Sequence, residues 1–442
     1  MEMLAKAGAA FQRLFGPVVE EVAERTTVIR RRREFTPMSL AMTFVLGHLW
    51  TPKASLADLA KVAVQLGANV TPQAVDQRFT PQLVDFLEQL FRESVKIVIK
   101  CSRSLAPLLE RFTSVTLLDS SVVALPESQS SKFAGCGGSY RPELAAVKLQ
   151  TELDLRSGEV AHIEIEQGKS PDAATVRQHV RRGAGSLRIA DLGYFNLPVF
   201  ADMIRAREYF LSRLQFGTGV LHPDGTPFNL LEWLQSQPPG FVDCSILLSL
   251  KDRLPCRLIA WRVPQERADR RRQKLREEMK RKSKPAPSVE RLAWCDWSIL
   301  VTNVPPEMLT PAEATVLYRA RWQIELLFKR WKSCGLVAAL TGSTDVRTMA
   351  TVWAHLIACV VQHWLIVATT WGDPCLSLHK AGKTIRDFAL RIIAGLKAPA
   401  GFVSVLTDLR QIIRKTCRRN KRKKAGTFEL LNNPSLLDFS LT

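Results

Sequence analysis

The chain has 442 residues, 46% of them hydrophobic and 24% charged, and its 62 Lys and Arg outnumber its 42 Asp and Glu to give a net charge of +20. That composition is globular, and at roughly 150 residues per domain it suggests about three domains. The cation excess predicts a polyanionic partner, with nucleic acid first and an anionic membrane surface second. The nine cysteines form no CxxC pair and no Cys/His cluster with zinc spacing. An odd count in a large chain reads as reduced thiols of a cytosolic protein. The first residues, MEMLAKAGAAFQRLFG, lack the layout of a signal peptide.

Residues 1 to about 100 read as helical, with a basic run at Arg30–Arg33. Leu56, Leu59, Ala60 and Ala63 recur at helical spacing before Gly67, and Thr71-Pro72 supplies a cap and first-turn proline for a second helix. Such a pair serves DNA-reading helix-turn-helix motifs and plain bundles alike. From about 112 the texture changes. VTLLDSS (115–121) is an apolar run ending on an acid, and AVKLQTELDL (146–155) and VAHIEIEQ (160–167) alternate around RSGE as a hairpin. DAATVRQHVRRG (172–183) reads as a helix capped by Ser170 or Asp172, SLRIAD (186–191) as a second apolar strand ending on an acid, 197–208 as a helix and YFLSRL (209–214) as a strand. This order is that of a mixed α/β domain.

Three further strands are expected at 244–250, 256–263 and 294–302, so that 216–309 forms a separate β-rich module. Between the last two lies QERADRRRQKLREEMKRKSKPAPS, a mixed-sign run of the kind usually found on solvated helix faces. Thr310-Pro-Ala-Glu313 is a capping box that opens a new helix. TVWAHLIACVVQHWLIVATT (351–370) imitates a membrane span, but His355, Gln362 and His363 and the lack of a partner span favour a helix buried in a large core. Helices follow at 380–418, and CRRNKRKK (417–424) is a basic tail.

The helix after Thr310 contains YRARWQIELLFKRWK, residues 318–332. At about 100° per residue, Leu317, Ala320, Ile324, Leu327, Phe328 and Trp331 share a core face, and Tyr318, Arg321, Glu325 and Lys332 share a stripe about 60° wide beside it. Arg319, Gln323 and Arg330 are left toward solvent. A lone acid among cations suits a Glu325–Arg321 surface pair, but that pairing leaves the cation excess of the stripe unexplained.

Asp119 and Asp191 each close an apolar strand, where the sites of α/β folds gather and where turn-forming aspartates also fall. Two such acids and Glu325 make a set of hard oxygen ligands for two Mg²⁺ ions, the arrangement that phosphodiester chemistry on DNA requires. Glu164 and Glu166, with His162, and Glu152 with Asp154 are competing acids expected on an exposed face. Arg213 is placed to reach DNA or to pair with an acid.

DSSVVALP (119–126), ADLGYF (190–195) and the spacing Y-x2-R-x3-E-x6-K at Tyr318, Arg321, Glu325 and Lys332 resemble the DDE transposases of the insertion-sequence-four group. The resemblance spans about 110–335, and Leu192 departs from the polar or basic residue common at its position. It implies an α/β fold with a ribonuclease-H-like core (106–215 and 310–370) and a β-rich insertion (216–309). A helical DNA-binding region (1–105) and a helical C-terminal region with a basic tail (371–442) flank it. The 134 positions between Asp191 and Glu325 leave room for the insertion. The resemblance further implies Asp119, Asp191 and Glu325 as catalytic and metal-binding residues, and Tyr318, Arg321 and Lys332 as contacts to DNA phosphates. Trp297 matches a tryptophan that stacks on a flipped base, and it suits a core aromatic equally.

The resulting expectation is a cytoplasmic, nucleoid-associated bacterial transposase with no membrane association. It uses two Mg²⁺, or Mn²⁺ in their place, and acts as a homodimer on double-stranded DNA, cutting terminal inverted repeats and joining them to a target. Its rivals are a nuclease of the same core without strand transfer and a DNA-binding protein without catalysis.

Overall fold

The structure, a computed structural model, describes residues 2–29, 34–137, 141–333, 344–397, 399–420 and 425–437. The basic run 30–33 and residues 421–424 of the basic tail 417–424 therefore lie outside the described residues. Two units are distinguished. The first comprises Met1–Leu105, Asp119–Ser170 and Gln323–Lys421, and the second Ala106–Leu118, Pro171–Trp322 and Arg422–Thr442.

Helix starts follow a simple chemical rule. At Thr36, Thr71, Thr80 and Thr310 the hydroxyl caps a free N–H of the first turn, and the proline that follows occupies a position whose N–H would have no partner. In the first unit the helix after Thr36 runs Pro37–Trp50, and Leu56–Gln65 follows with a Ser55–Asp58 capping box. Gly67 then takes a left-handed φ of 95° before the short helix Pro72–Asp76. The apolar stretch 351–370 belongs to the 26-residue helix Asp345–Thr370, buried from Met349 to its end. Three of its polar side chains reach backbone carbonyls of the same unit. His355 Nε2 lies 2.8 Å from Pro52 O, His363 Nε2 2.7 Å from Gly158 O, and Gln362 Nε2 3.0 Å from Gly382 O. A buried helix so bonded is a protein core element, as its polar residues predicted.

The strands of the first unit are the second part of β1 (Val115–Leu125), β2 (Ala145–Asp154) and β3 (Val160–Gln167), in the order β3-β2-β1. The hairpin β2–β3 is antiparallel and turns at Gly158, whose φ is 77°. A Cβ there would sit 2.3 Å from the Trp371 ring, so only glycine fits. All ten residues of β2 are buried, which corrects the expectation of an exposed acidic face. Glu152 and Asp154 are 1% and 5% exposed. Asp154 Oδ1 accepts from Arg156 N at 2.6 Å, so this carboxylate closes the hairpin turn.

The second unit contains the first part of β1, β4 (Leu187–Ala190), β5 (Tyr209–Arg213), β6 (Val220–Leu221), β7 (Phe241–Leu248), β8 (Leu254–Arg262) and β9 (Trp297–Thr302). Their order is β1-β4-β5-β9-β8-β7-β6. β1, β4 and β5 are mutually parallel, and each pairing beyond β5 is antiparallel. β9 pairs with β5 directly, and one apolar core runs from Phe200 and Phe210 to Leu248, Leu258 and Val301. The mixed α/β class is therefore present, with the strands after β5 joined edge to edge onto β5.

The helix expected at 172–183 is absent. Two single turns, Asp172–Ala174 and Val176–His179, flank Thr175, which is extended at φ −62° and ψ 134°. Helical bonding is outcompeted by tertiary partners. Arg188 on β4 donates to Gln178 O at 2.6 Å and to Val180 O at 2.8 Å, and the Gln178 amide returns to Asp172 O and Ala173 O.

Candidate active site

Parallel pairing sets the level of the two aspartates. The β1–β4 register runs from Val115 opposite Leu187 to Leu118 opposite Ala190. The next residue along each chain is Asp119 and Asp191, respectively. Beneath this level Leu118, Ala190 and Tyr194 form a small closed apolar cluster. Asp191 follows the last residue of β4, whereas Asp119, expected to end its strand, lies within β1, which runs on to Leu125; both acids are half-buried. Asp119 Oδ1 accepts from Ser120 N at 2.8 Å. Asp191 occupies the N-cap position of the turn Leu192–Tyr194, yet its carboxylate does not cap that turn. Most aspartates at such positions bond the turn they precede; Asp191 does not.

The stretch 318–332 is not one helix. Pro311–Ala320 and Trp322–Trp331 are separate segments that meet at Arg321, where Arg321 N bonds to Tyr318 O, 3.2 Å away and only three residues back. Leu317, Ala320, Ile324, Leu327, Phe328 and Trp331 are buried as the period predicted. Gln323 and Arg330, expected toward solvent, are 7% and 8% exposed instead. The second segment thus buries a wider arc than expected. Tyr318, Arg321 and Glu325 are half-buried and Lys332 is exposed.

Within the second unit, Asp191, Arg213, Tyr318 and Arg321 form one electrostatic cluster. Burial raises the Tyr318 phenol to about 12, Asp191 adds to the rise, and Arg213 and Arg321 oppose it. The phenol therefore stays protonated at every working pH and can donate a hydrogen bond to an anion. Arg321 lies close enough to donate to its buried oxygen, while the phenol's own O–H has no acceptor among the described residues. Asp119, Glu325 and Lys332 belong to the first unit.

Two arginines that sequence reading passed over sit beside this cluster. Arg271, inside the charged run, is pushed down to about 10 by burial and by its cationic neighbours Arg213 and Arg267. Arg267 also lies close enough to Arg319 to lower it, after burial. Their positions in the chain carry no periodic signal that would have joined them. Trp297 opens β9 at 7% exposure inside the apolar core of the second unit, and Arg271 donates to its carbonyl at 2.8 Å. The indole is a core group in this conformation, the second of the two roles its position suits.

Among the described residues no group of three or more His, Cys, Asp or Glu side chains is gathered for a metal ion. The acids singled out from the sequence nevertheless suit a hard cation by chemistry. All three are carboxylates, and Asp191 leaves its own turn uncapped.

Residues 110–361 match the transposase DDE domain family. Over 95% of its length the chain is 28% identical to the transposase for insertion sequence element IS231E of Bacillus thuringiensis subsp. finitimus, covering 93% of that protein. It is 25% identical to the IS231F transposase of B. thuringiensis subsp. israelensis, with 93% and 92% of the two chains covered. Against the IS1151 transposase of Clostridium perfringens the identity is 24%, over 79% and 77% of the two chains. A matched domain that contains Asp119, Asp191 and the Tyr-Arg-Glu-Lys stretch, with relatives aligned almost end to end, settles the family: the chain belongs to the DDE transposases, enzymes that cut DNA and transfer its strands.

Proposed function

We propose that this transposase works through Asp119, Asp191 and Glu325 as its catalytic carboxylates on a ribonuclease-H-like core. The observation that carries the reading is the β1–β4 register, which ends at Leu118 opposite Ala190 so that both chains deliver an aspartate next. The parallel run β1-β4-β5 and the antiparallel hairpin β2–β3 support the core assignment. The three acids would hold Mg²⁺, or Mn²⁺ in its place, which when bound lowers the pKa of water or a 3′-hydroxyl and neutralises charge on the scissile phosphate. Tyr318 offers a protonated phenol, and Arg321 and Lys332 offer fixed positive charge. These three groups bind and orient the strand to be cut by gripping phosphates on either side of the scissile bond. The half-buried rim limits the water that competes with the attacking group.

The DNA partners are the terminal inverted repeats of an insertion sequence and a target duplex, brought together by a homodimer on paired ends. The helices of 1–105 contribute duplex binding, and the protein works in the cytoplasm on the nucleoid. The decisive variant is Glu325→Gln, which keeps size and hydrogen bonding but removes the charge. Metal-dependent cutting of repeat-ended DNA should fall below detection while duplex affinity holds within about twofold. Cutting that survives this change would sink the triad. Joining of the cut ends to a second duplex, read on a gel, reports transfer separately from cutting.

A further inference from the structure

The helix Gln265–Arg281 reads at first as a solvated, mixed-sign surface helix, but its two edges are used differently. One face is tied down. Ala268 is buried, Arg271 donates to Trp297 O at 2.8 Å and to Ser298 Oγ at 2.9 Å, and Arg272 pairs with Asp296 and reaches Leu292 O at 3.3 Å. This anchoring fixes the rotation of the helix about its axis. At about 100° per residue, Arg267, Arg270, Lys274 and Arg281 then fall in a single stripe about 60° wide, and all four are exposed. At about 1.5 Å per residue the stripe is roughly 21 Å long.

The acids of the helix do not neutralise it. Glu278 is taken by Lys282 at 2.6 Å, Glu277 accepts from Gln273 at 2.9 Å, and Glu266 pairs with Arg270 across 3.5 Å with both side chains largely in water. Lys274 and Arg281 make no ion pair among the described residues. At its N-terminal end the stripe continues into Arg319 through Arg267, and into Arg213 through Arg271. Arg213 is part of the cluster around Asp191 and Tyr318. The cations of the helix outnumber these acids, and a bound polyanion relieves the self-repulsion that remains.

We propose that Arg267, Arg270, Lys274 and Arg281, joined to Arg319 and Arg213, form a track for the DNA backbone leading away from the Asp191–Tyr318 cluster along the anchored helix. The inference rests on the reading of that cluster as the cutting site. Spacings of three, four and seven residues put successive cations about 4.5, 6 and 10.5 Å apart, a span matched to successive phosphates rather than to base edges. The track therefore holds DNA without reading its sequence.

The test compares the wild type with a variant carrying Arg270→Gln, Lys274→Gln and Arg281→Gln, and with a control carrying Arg276→Gln and Lys280→Gln on the other edge of the same helix. Fluorescence anisotropy with a random-sequence duplex gives the slope of log affinity against log salt. Each lost phosphate contact lowers that slope by about 0.9, so the track variant should lose between two and three while the control keeps the wild-type slope. Far-UV circular dichroism checks that all three proteins are folded. An unchanged slope in the track variant, or an equal loss in the control, overturns the track. A wild type that binds no duplex at all overturns the underlying reading instead, so the two failures are distinguishable.

Discussion

Tyr318 shows how much can rest on a single oxygen. Its phenol is buried and protonated among Arg213, Arg321 and Asp191; Arg321 lies close enough to donate to the phenol oxygen, but the phenol's own O–H has no acceptor among the described residues. A buried donor left unpaired costs about 1–3 kcal/mol in the free protein, and a phosphate oxygen would recover that cost on binding. Tyr318→Phe removes the donor and keeps the ring. The thermal midpoint should stay level or rise slightly, while cutting of repeat-ended DNA falls by roughly 10- to 100-fold, the worth of one hydrogen bond to a charged group. A clear drop in midpoint with cutting unchanged would assign the hydroxyl to the fold instead. Trp297 is the opposite case. Its ring lies inside the core of the second unit, so burial decides its present role.

Among the elements, the helix Asp345–Thr370 makes the clearest pH prediction. His355 and His363 are pushed down to about 4, chiefly by burial, and His48 is also held well below its usual value by burial and by His355 4.4 Å away. Each is neutral when folded and takes a proton near 6.5 when unfolded. The folded state is thus at no disadvantage above pH ~6.5. It loses up to about 1.4 kcal/mol per pH unit per histidine as pH falls toward 4, where the loss levels off. His363→Gln keeps a donor for Gly158 O but cannot titrate. Urea unfolding between pH 7.5 and 5 should therefore show a pH slope shallower than wild type by about one proton. Parallel slopes would mean that His363 is charged or exposed in the folded protein. The elements also show what a sequence can reveal. Thr-Pro starts and alternating strands are local chemistry, so the caps at Thr71 and Thr310 and the hairpin around Gly158 were legible. The segment 172–183 was not, because the carbonyls at its end are captured by Arg188 on a strand further along the chain. Asp119 and Asp191 were legible because each closes an apolar run. The association of Arg213, Arg267 and Arg319 was not, because no periodicity links residues so far apart.

At the scale of the whole molecule, affinity and chemistry come from different sets of residues. The net charge of +20 is spread over the chain, whereas the proposed chemistry depends on three carboxylates. Long-range attraction to DNA is screened by salt and needs no divalent ion, while phosphodiester cleavage at carboxylates cannot proceed without a cation to offset the repulsion between acids and phosphate. Two perturbations therefore separate them. Chelating divalent ions with EDTA should abolish cutting and leave duplex binding intact, or strengthened, since Mg²⁺ competes for phosphates. Raising monovalent salt from about 50 to about 200 mM with Mg²⁺ present should weaken binding by roughly 10³-fold or more if six or more phosphates are neutralised. Cutting should follow that loss at limiting protein and recover when protein is raised to saturate the DNA. Full cutting in EDTA would exclude the carboxylate mechanism. Failure to recover at saturating protein would show that salt acts on the chemical step itself, and that the cations around Asp191 and Tyr318 hold the strand for reaction rather than merely attract it.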